Sequence, residues 1–150
     1  MTNSYTSLFA HIIFSTHNRE PLLKSACRER FFAYMGGIAR ENKIKAISIG
    51  GVMDHVHMLT LIPVSISIAK AVQLVKGGSS KWLHENIVPM KNFAWQEGYG
   101  AFSISASEVP EVVSYIEGQE EHHRMKSFQE EYLSFLKKYN IEYDERYVWG

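Results

Sequence analysis

Met53-Asp54-His55-Val56-His57-Met58-Leu59-Thr60-Leu61-Ile62 sets two histidines one valine apart at the head of an apolar run that Pro63 ends. Side chains alternate along a strand, so His55 and His57 project from one face and Val56 from the other. Two imidazoles on one face of a rigid strand can hold a divalent metal through their neutral nitrogens. The pair alone says little. Seven histidines in 150 residues give about 0.3 His-x-His pairs by chance, and two polar residues on a half-exposed strand are the plain alternative.

Just upstream, residues 44–49 are strand-forming and are closed by Gly50-Gly51. The tight connection that follows predicts an antiparallel hairpin with the histidine strand. Residues 8–15, short and apolar, predict a buried strand, and 16–21 a loop. Phe31, Tyr34, Met35 and Ile38 recur at helical spacing within 24–42. Gly36-Gly37 costs that helix about 1 kcal/mol per glycine if exposed and suits close packing on a sheet. His11 and His17 read as structural or surface residues.

Downstream, 66–84 predicts a helix buried through Ile68, Ala71, Val72, Leu74, Val75 and Leu83, with Gly77-Gly78 interrupting it. Pro89, Gly98 and Gly100 signal loops, with a short extended piece around 93–96. Residues 101–105 alternate as a strand. Ser107 is a candidate cap for a helix running from 109 to about 125, and a second helix covers 128–139. The aromatic end, 143–149, predicts a segment that packs back. The order strand, helix, strand, strand, helix, strand, then helices is α+β. It matches a ferredoxin-like (split βαβ, RRM-like) antiparallel sheet in one domain, 1–150, with the first and third strands as the central pair.

Composition narrows the setting. The chain is 45% hydrophobic and 21% charged, ordinary values for a globular domain. Cys27 stands alone, so no internal disulfide forms, which suits a reducing cytosol. No stretch has transmembrane length, and Met1-Thr2-Asn3-Ser4 is too polar to begin a signal peptide. A soluble cytoplasmic protein without a membrane partner is expected. Sixteen basic residues balance sixteen acidic ones. That argues against broad attraction to duplex DNA but leaves room for a local basic patch.

The helix from 109 supplies what the histidines lack. Val109, Val112, Val113 and Ile116 form its apolar stripe; Tyr115 and Gln119, four apart, flank that stripe with His122 near the same line. Each has a plain reading: packing for Tyr115, surface for Gln119, and a favourable helix C-terminus for His122 and His123. Together they propose a chemistry. Two neutral imidazoles and one amide oxygen leave Mg²⁺ or Mn²⁺ its full charge and open positions, which phosphate oxygens commonly fill. Such an ion polarises a phosphodiester and stabilises the leaving oxygen, while a tyrosine hydroxyl attacks phosphorus to give a covalent intermediate. Zinc would need a cysteine pair to close a structural site, and none exists.

His55-Val56-His57 with Tyr115-Ile116-Glu117-Gly118-Gln119 resembles the single-tyrosine HUH transposases of the IS200/IS605 type. Gly77-Gly78-Ser79-Ser80-Lys81-Trp82, Trp95-Gln96-Glu97-Gly98-Tyr99-Gly100-Ala101-Phe102-Ser103, His122-His123 and Tyr143-Asp144-Glu145-Arg146-Tyr147-Val148-Trp149 extend the resemblance over nearly the whole chain. The resemblance implies a metal-dependent tyrosine DNA transposase, or DNA strand transferase. It would cut and rejoin single-stranded DNA at hairpin-marked element ends through a 5′-phosphotyrosine intermediate, without a nucleotide cofactor. By position, His55, His57 and Gln119 are then the metal ligands for Mg²⁺ or Mn²⁺, Tyr115 is the nucleophile, and the protein works as a homodimer. Arg40, Lys70, Lys76 and Lys81 are candidate DNA-binding residues, and Asp54 could orient a histidine.

Three other functions use parts of the pattern. They are an HUH nickase or hairpin-processing endonuclease not used for transposition, a non-catalytic module that stacks single-stranded nucleic acid on sheet aromatics, and a small interaction protein with a structural metal.

Overall fold

The computed structural model describes residues 3–87 and 90–150, so Pro89 and the Met1-Thr2 start lie outside the described residues. In chain order the elements are β1 (Phe9–Ser15), α1 (Ser25–Glu41), β2 (Lys45–Gly51), β3 (His55–Leu61) and α2 (Ile68–Asn86). They continue with β4 (Gly100–Ile104), α3 (Val109–Glu117), α4 (Gln119–His122) and α5 (Phe128–Lys138). The strands form one antiparallel sheet in the order β2-β3-β1-β4. The histidine strand is therefore central, as the split βαβ order predicts.

Strand alternation divides the interior into two layers. Ile12 and Phe14 of β1 and Val56 and Met58 of β3 face α1 and α2, where Phe31, Met35, Val72 and Leu83 complete the larger core. The opposite face carries His11 and Ile13 of β1 and His55, His57 and Leu59 of β3. There Ile13 and Phe102 pack against Phe128, Tyr132 and Leu136 of α5, while Leu59 and Ile104 pack against Ile116 of α3. The register sets His57 opposite Ile13 on one side and Gly50 on the other. Burial on both faces makes β3 a stiff platform.

Two expectations are corrected. Gly77-Gly78 do not interrupt α2, which runs unbroken. Gly78 marks the crossing with α1 instead, because a Cβ there would stand 2.7 Å from Ile38 Cδ1. The helix from 109 ends at Glu117, not near 125. Gly118 leaves α geometry at ψ 17°, and the four-residue α4 follows. A Cβ at Gly36 would meet Ile49 Cδ1 at an ordinary 3.7 Å and one at Gly37 would meet nothing within 4 Å, so close packing on the sheet does not require this pair to be glycine.

The connections close the structure as the composition suggests. Trp95 forms an isolated bridge with Thr16, which is the short extended piece expected near 93–96. Tyr143, Val148 and Trp149 pack back on the α5 cluster, and the Gly150 carbonyl accepts from the Gly98 N–H and the Gln96 amide. Among the described residues no helix is long and apolar enough to cross a membrane.

Candidate active site

His55 and His57 are both fully buried on the α3/α5 face of β3. Burial of two imidazoles demands partners for both nitrogens of each ring, and the surroundings provide them. His55 Nδ1 lies 2.7 Å from Asp54 Oδ1, and His57 Nδ1 lies 2.8 Å from His11 Nε2. With Nδ1–H donating to those acceptors, each Nε2 faces the space under α3 and α5. Asp54 thus takes the orienting role read from its place in the sequence. His11 is structural, as expected, but its work is done at this site.

The break at Gly118 brings α4 over the sheet. Gln119, buried to 1% exposure, donates from its amide to the Tyr115 carbonyl at 3.3 Å. Its Oε1 is thereby turned toward His55 Nε2, 3.2 Å away. Tyr115, one helical turn earlier, reaches the same space; its ring centroid is 5.7 Å from that of His57. The four residues proposed as ligands and nucleophile meet within one chain. Two inward-facing imidazole nitrogens beside one amide oxygen fit a divalent cation, which binds in place of any proton on them and leaves positions to spare.

Glu131 of α5 was not anticipated. It is 1% exposed and sits between the histidines and the tyrosine. Its Oε1 lies 2.9 Å from His57 Nε2 and 3.1 Å from His123 Nε2. Its Oε2 accepts the Tyr115 hydroxyl, which also lies 3.1 Å from His122 Nε2. The signal for Glu131 is in the sequence: Phe128, Tyr132, Phe135 and Leu136 make an apolar helical stripe, and position 131 falls on it. A carboxylate on a buried stripe needs partners.

Electrostatics divide the roles. Burial drives His57 down to about 4, against the pull of Glu131. Burial and the neighbouring His57 drive His11 down to about 3, so both are neutral. Burial works against charge on His55 too, but the bonds to Asp54 and Glu131 outweigh it and raise His55 to about 9. Burial also opposes charge on Glu131. The bonds from His123, His55 and His57 nonetheless hold its carboxyl well below the usual range. Burial and the adjacent Glu131 raise the Tyr115 hydroxyl, so it carries its proton at neutral pH.

The candidate DNA-binding cations do not join this cluster. Lys70, Lys76 and Lys81 lie on α2 and Arg40 at the end of α1, both on the other side of the sheet. Arg40, Lys70 and Lys81 are exposed. Lys76 is engaged internally: its ammonium donates to the carbonyls of Gln96 at 2.8 Å and Gly98 at 2.6 Å. A cleft of about 340 Å³ opens beside Tyr115, between α3 and α5, with Lys126, Phe135 and Lys138 in its lining.

Comparison with known proteins bears on the family and the fold. Residues 4–119 match the family described as IS200-like transposase. A provisionally named transposase of Deinococcus radiodurans R1 superposes with a TM-score of 0.65 at 21% identity, over 79% of this chain and 96% of that one. A REP-associated tyrosine transposase bound to a REP hairpin superposes with a TM-score of 0.56 at 14% identity, over 77% of this chain and 68% of that one. No curated protein matches the chain. These two structures share the fold, and the match through Gln119 carries the assignment: the chain belongs to the IS200-like transposase family.

Proposed function

We propose that the protein is a DNA strand transferase that cuts and rejoins single-stranded DNA at hairpin-marked element ends. The single observation that carries this reading is the meeting of Tyr115 with His55, His57 and Gln119 in one buried cluster, with Tyr115 also lining a cleft open to solvent. Because the two histidines are fully buried, a phosphodiester would approach through that cleft, past Tyr115.

In the reaction the Tyr115 oxygen attacks phosphorus as its proton passes along its hydrogen bond to Glu131, and the bond from phosphorus to the 3′-oxygen breaks. The products are a 5′-phosphotyrosine and, once the leaving oxygen takes up a proton, a 3′-hydroxyl. Rejoining is the reverse attack by a 3′-hydroxyl, so the phosphotyrosine conserves the bond and no nucleotide cofactor is consumed. Glu131 orients the phenol by accepting its hydrogen bond, and Gln119 ties the tyrosine turn to β3. His55, His57 and Gln119 would hold Mg²⁺ or Mn²⁺, which when bound supplies Lewis-acid polarisation of the phosphodiester. The exposed cations Arg40, Lys70 and Lys81 are available to phosphate backbone at a distance from the cleavage point. The homodimer implied by the family resemblance belongs to the same proposal, and light scattering of the free protein tests it.

The direct test is incubation with labelled single-stranded hairpin DNA and Mg²⁺, followed by denaturing electrophoresis. The wild type should form a denaturation-resistant protein–DNA adduct and Tyr115→Phe should form none. An adduct of equal yield from Tyr115→Phe would remove Tyr115 as the nucleophile.

A further inference from the structure

The region matched to the family ends at Gln119, yet the donor groups around His55 and His57 do not end there. His123, just after α4, and Glu131 on α5 turn one atom each toward the same point. Ligand atoms of His55, His57, His123 and Glu131 all lie within 4.8 Å of one another. Glu131 Oε1 is 2.9 Å from His57 Nε2, 3.1 Å from His123 Nε2 and 3.4 Å from His55 Nε2. Adjacent ligand atoms of an octahedral ion at about 2.1 Å lie about 3 Å apart, close to the spacing between Glu131 and each of the three histidines.

The tautomers agree with that spacing. His123 Nδ1 lies 2.6 Å from the Lys126 carbonyl, so its N–H donates there and Nε2 faces inward. His55 on Asp54 and His57 on His11 repeat the arrangement. Three imidazole nitrogens converge on one carboxylate oxygen, a donor set that holds protons in the free protein and gives them up when a divalent cation binds. A divalent cation satisfies all four groups at once, and Glu131 is too deeply buried for solvent to do so.

We infer that His123 and Glu131 are ligands of the same metal as His55, His57 and Gln119, giving a site of three imidazole nitrogens and two oxygens that favours Mn²⁺ over Mg²⁺. The inference rests on the metal site of the proposed function and extends it beyond the family-matched region. Magnesium prefers oxygen ligands and keeps its waters, whereas imidazole suits later divalent ions. An added imidazole and a formal negative charge therefore move both affinity and preference. Glu131 also links the ligand set to the nucleophile, since its second oxygen holds the Tyr115 hydroxyl.

Metal binding by the full chain, without DNA, tests this apart from catalysis. Chelator-stripped protein loaded with Mn²⁺ should show three coordinated imidazole nitrogens by electron spin echo modulation, and His123→Ala should show two. By calorimetry Mn²⁺ should bind at least ~10-fold more tightly than Mg²⁺. Both His123→Ala and Glu131→Gln should weaken Mn²⁺ by about 10- to 100-fold. Circular dichroism checks that each variant folds. If Glu131→Gln does not fold, Glu131→Ser takes its place in the calorimetry, while the nitrogen count in the wild type decides for His123. Two nitrogens in the wild type, lost together in His55→Ala, would overturn the inference and leave the proposed function standing. No Mn²⁺ or Mg²⁺ bound by the wild type would overturn both.

Discussion

Replacing Gly50 with alanine should damage the site without touching any residue of it. Gly50 lies on β2 directly opposite His57, beneath the helix that carries Tyr115. A Cβ at this position would stand 2.6 Å from the Ile116 carbonyl oxygen and 3.0 Å from Ile116 Cγ2. Close C–H···O contacts settle near 3.3 Å or slightly more, so α3 has to retreat by about 0.7 Å. The obstacle is helix backbone, which no rotamer change can relieve, and Ile116 is the residue next to Tyr115. Overpacking of this kind costs about 1–3 kcal/mol. A displacement approaching 1 Å at a reacting group costs up to about 100-fold in rate.

The assay pairs urea unfolding, followed by tryptophan fluorescence, with single-turnover adduct formation under conditions where both proteins are fully folded. Gly50→Ala should lose about 1–3 kcal/mol and slow adduct formation by about 10- to 100-fold. Gly77→Ala is the control, since a Cβ there meets nothing within 4 Å. It removes a helix-interior glycine and should gain about 0.5–1 kcal/mol at unchanged rate. The reasoning fails if Gly50→Ala keeps its stability. It also fails if stability falls while the adduct forms at the wild-type rate, because α3 would then have moved without carrying Tyr115 away.

Two further outcomes follow from other parts of the fold. Lys76→Met removes a cation that donates to the carbonyls of Gln96, Glu97 and Gly98 and should cost about 1.5–3 kcal/mol. Hydrogen exchange should quicken first where Gly98 pairs with Gly150, and unchanged protection there would show that the ammonium does not hold this segment. Lys43 follows α1 at φ 62°, and the next residue closes the helix end by donating from the Ile44 N–H to the Ala39 carbonyl. Lys43→Gly should therefore stabilise by about 1 kcal/mol, raising Tm by roughly 2–4 °C. A lower Tm would refute the assignment of strain to that residue.

The fold was readable because its signals are local. Short apolar runs bounded by turns fall on all four strands, and the tight link between β2 and β3 puts the histidine strand inside the sheet. The same locality explains the two misreadings. Gly78 looks like a helix interruption when only helix propensity is weighed, because Ile38, which requires the missing Cβ, lies forty positions earlier on another helix. Gly118 looks like a tolerated interior glycine, because the reason to break there is a destination on β3. Gly50 is the counterpart: along the chain it closes a strand, and only the docking of α3 shows what its missing Cβ allows.

The site was half legible, and the missing half has one cause. Tyr115 and Gln119 could be paired because a helix repeats every few residues, and His55 with His57 because a strand alternates. Glu131 has no such local partner among the groups it touches; His57, His123 and Tyr115 reach it from β3, the turn after α4, and α3. The sequence does carry a contradiction at that position, a carboxylate on the stripe by which α5 must dock. Burying it unpaired costs more than the stripe around it can spare. So α5 can dock fully only where donors or a cation await the carboxylate, and in this fold they await it above the two histidines. The docking of the last helix and the completion of the site are therefore one event: the charge that makes α5 a poor core helix is what fixes where it lies.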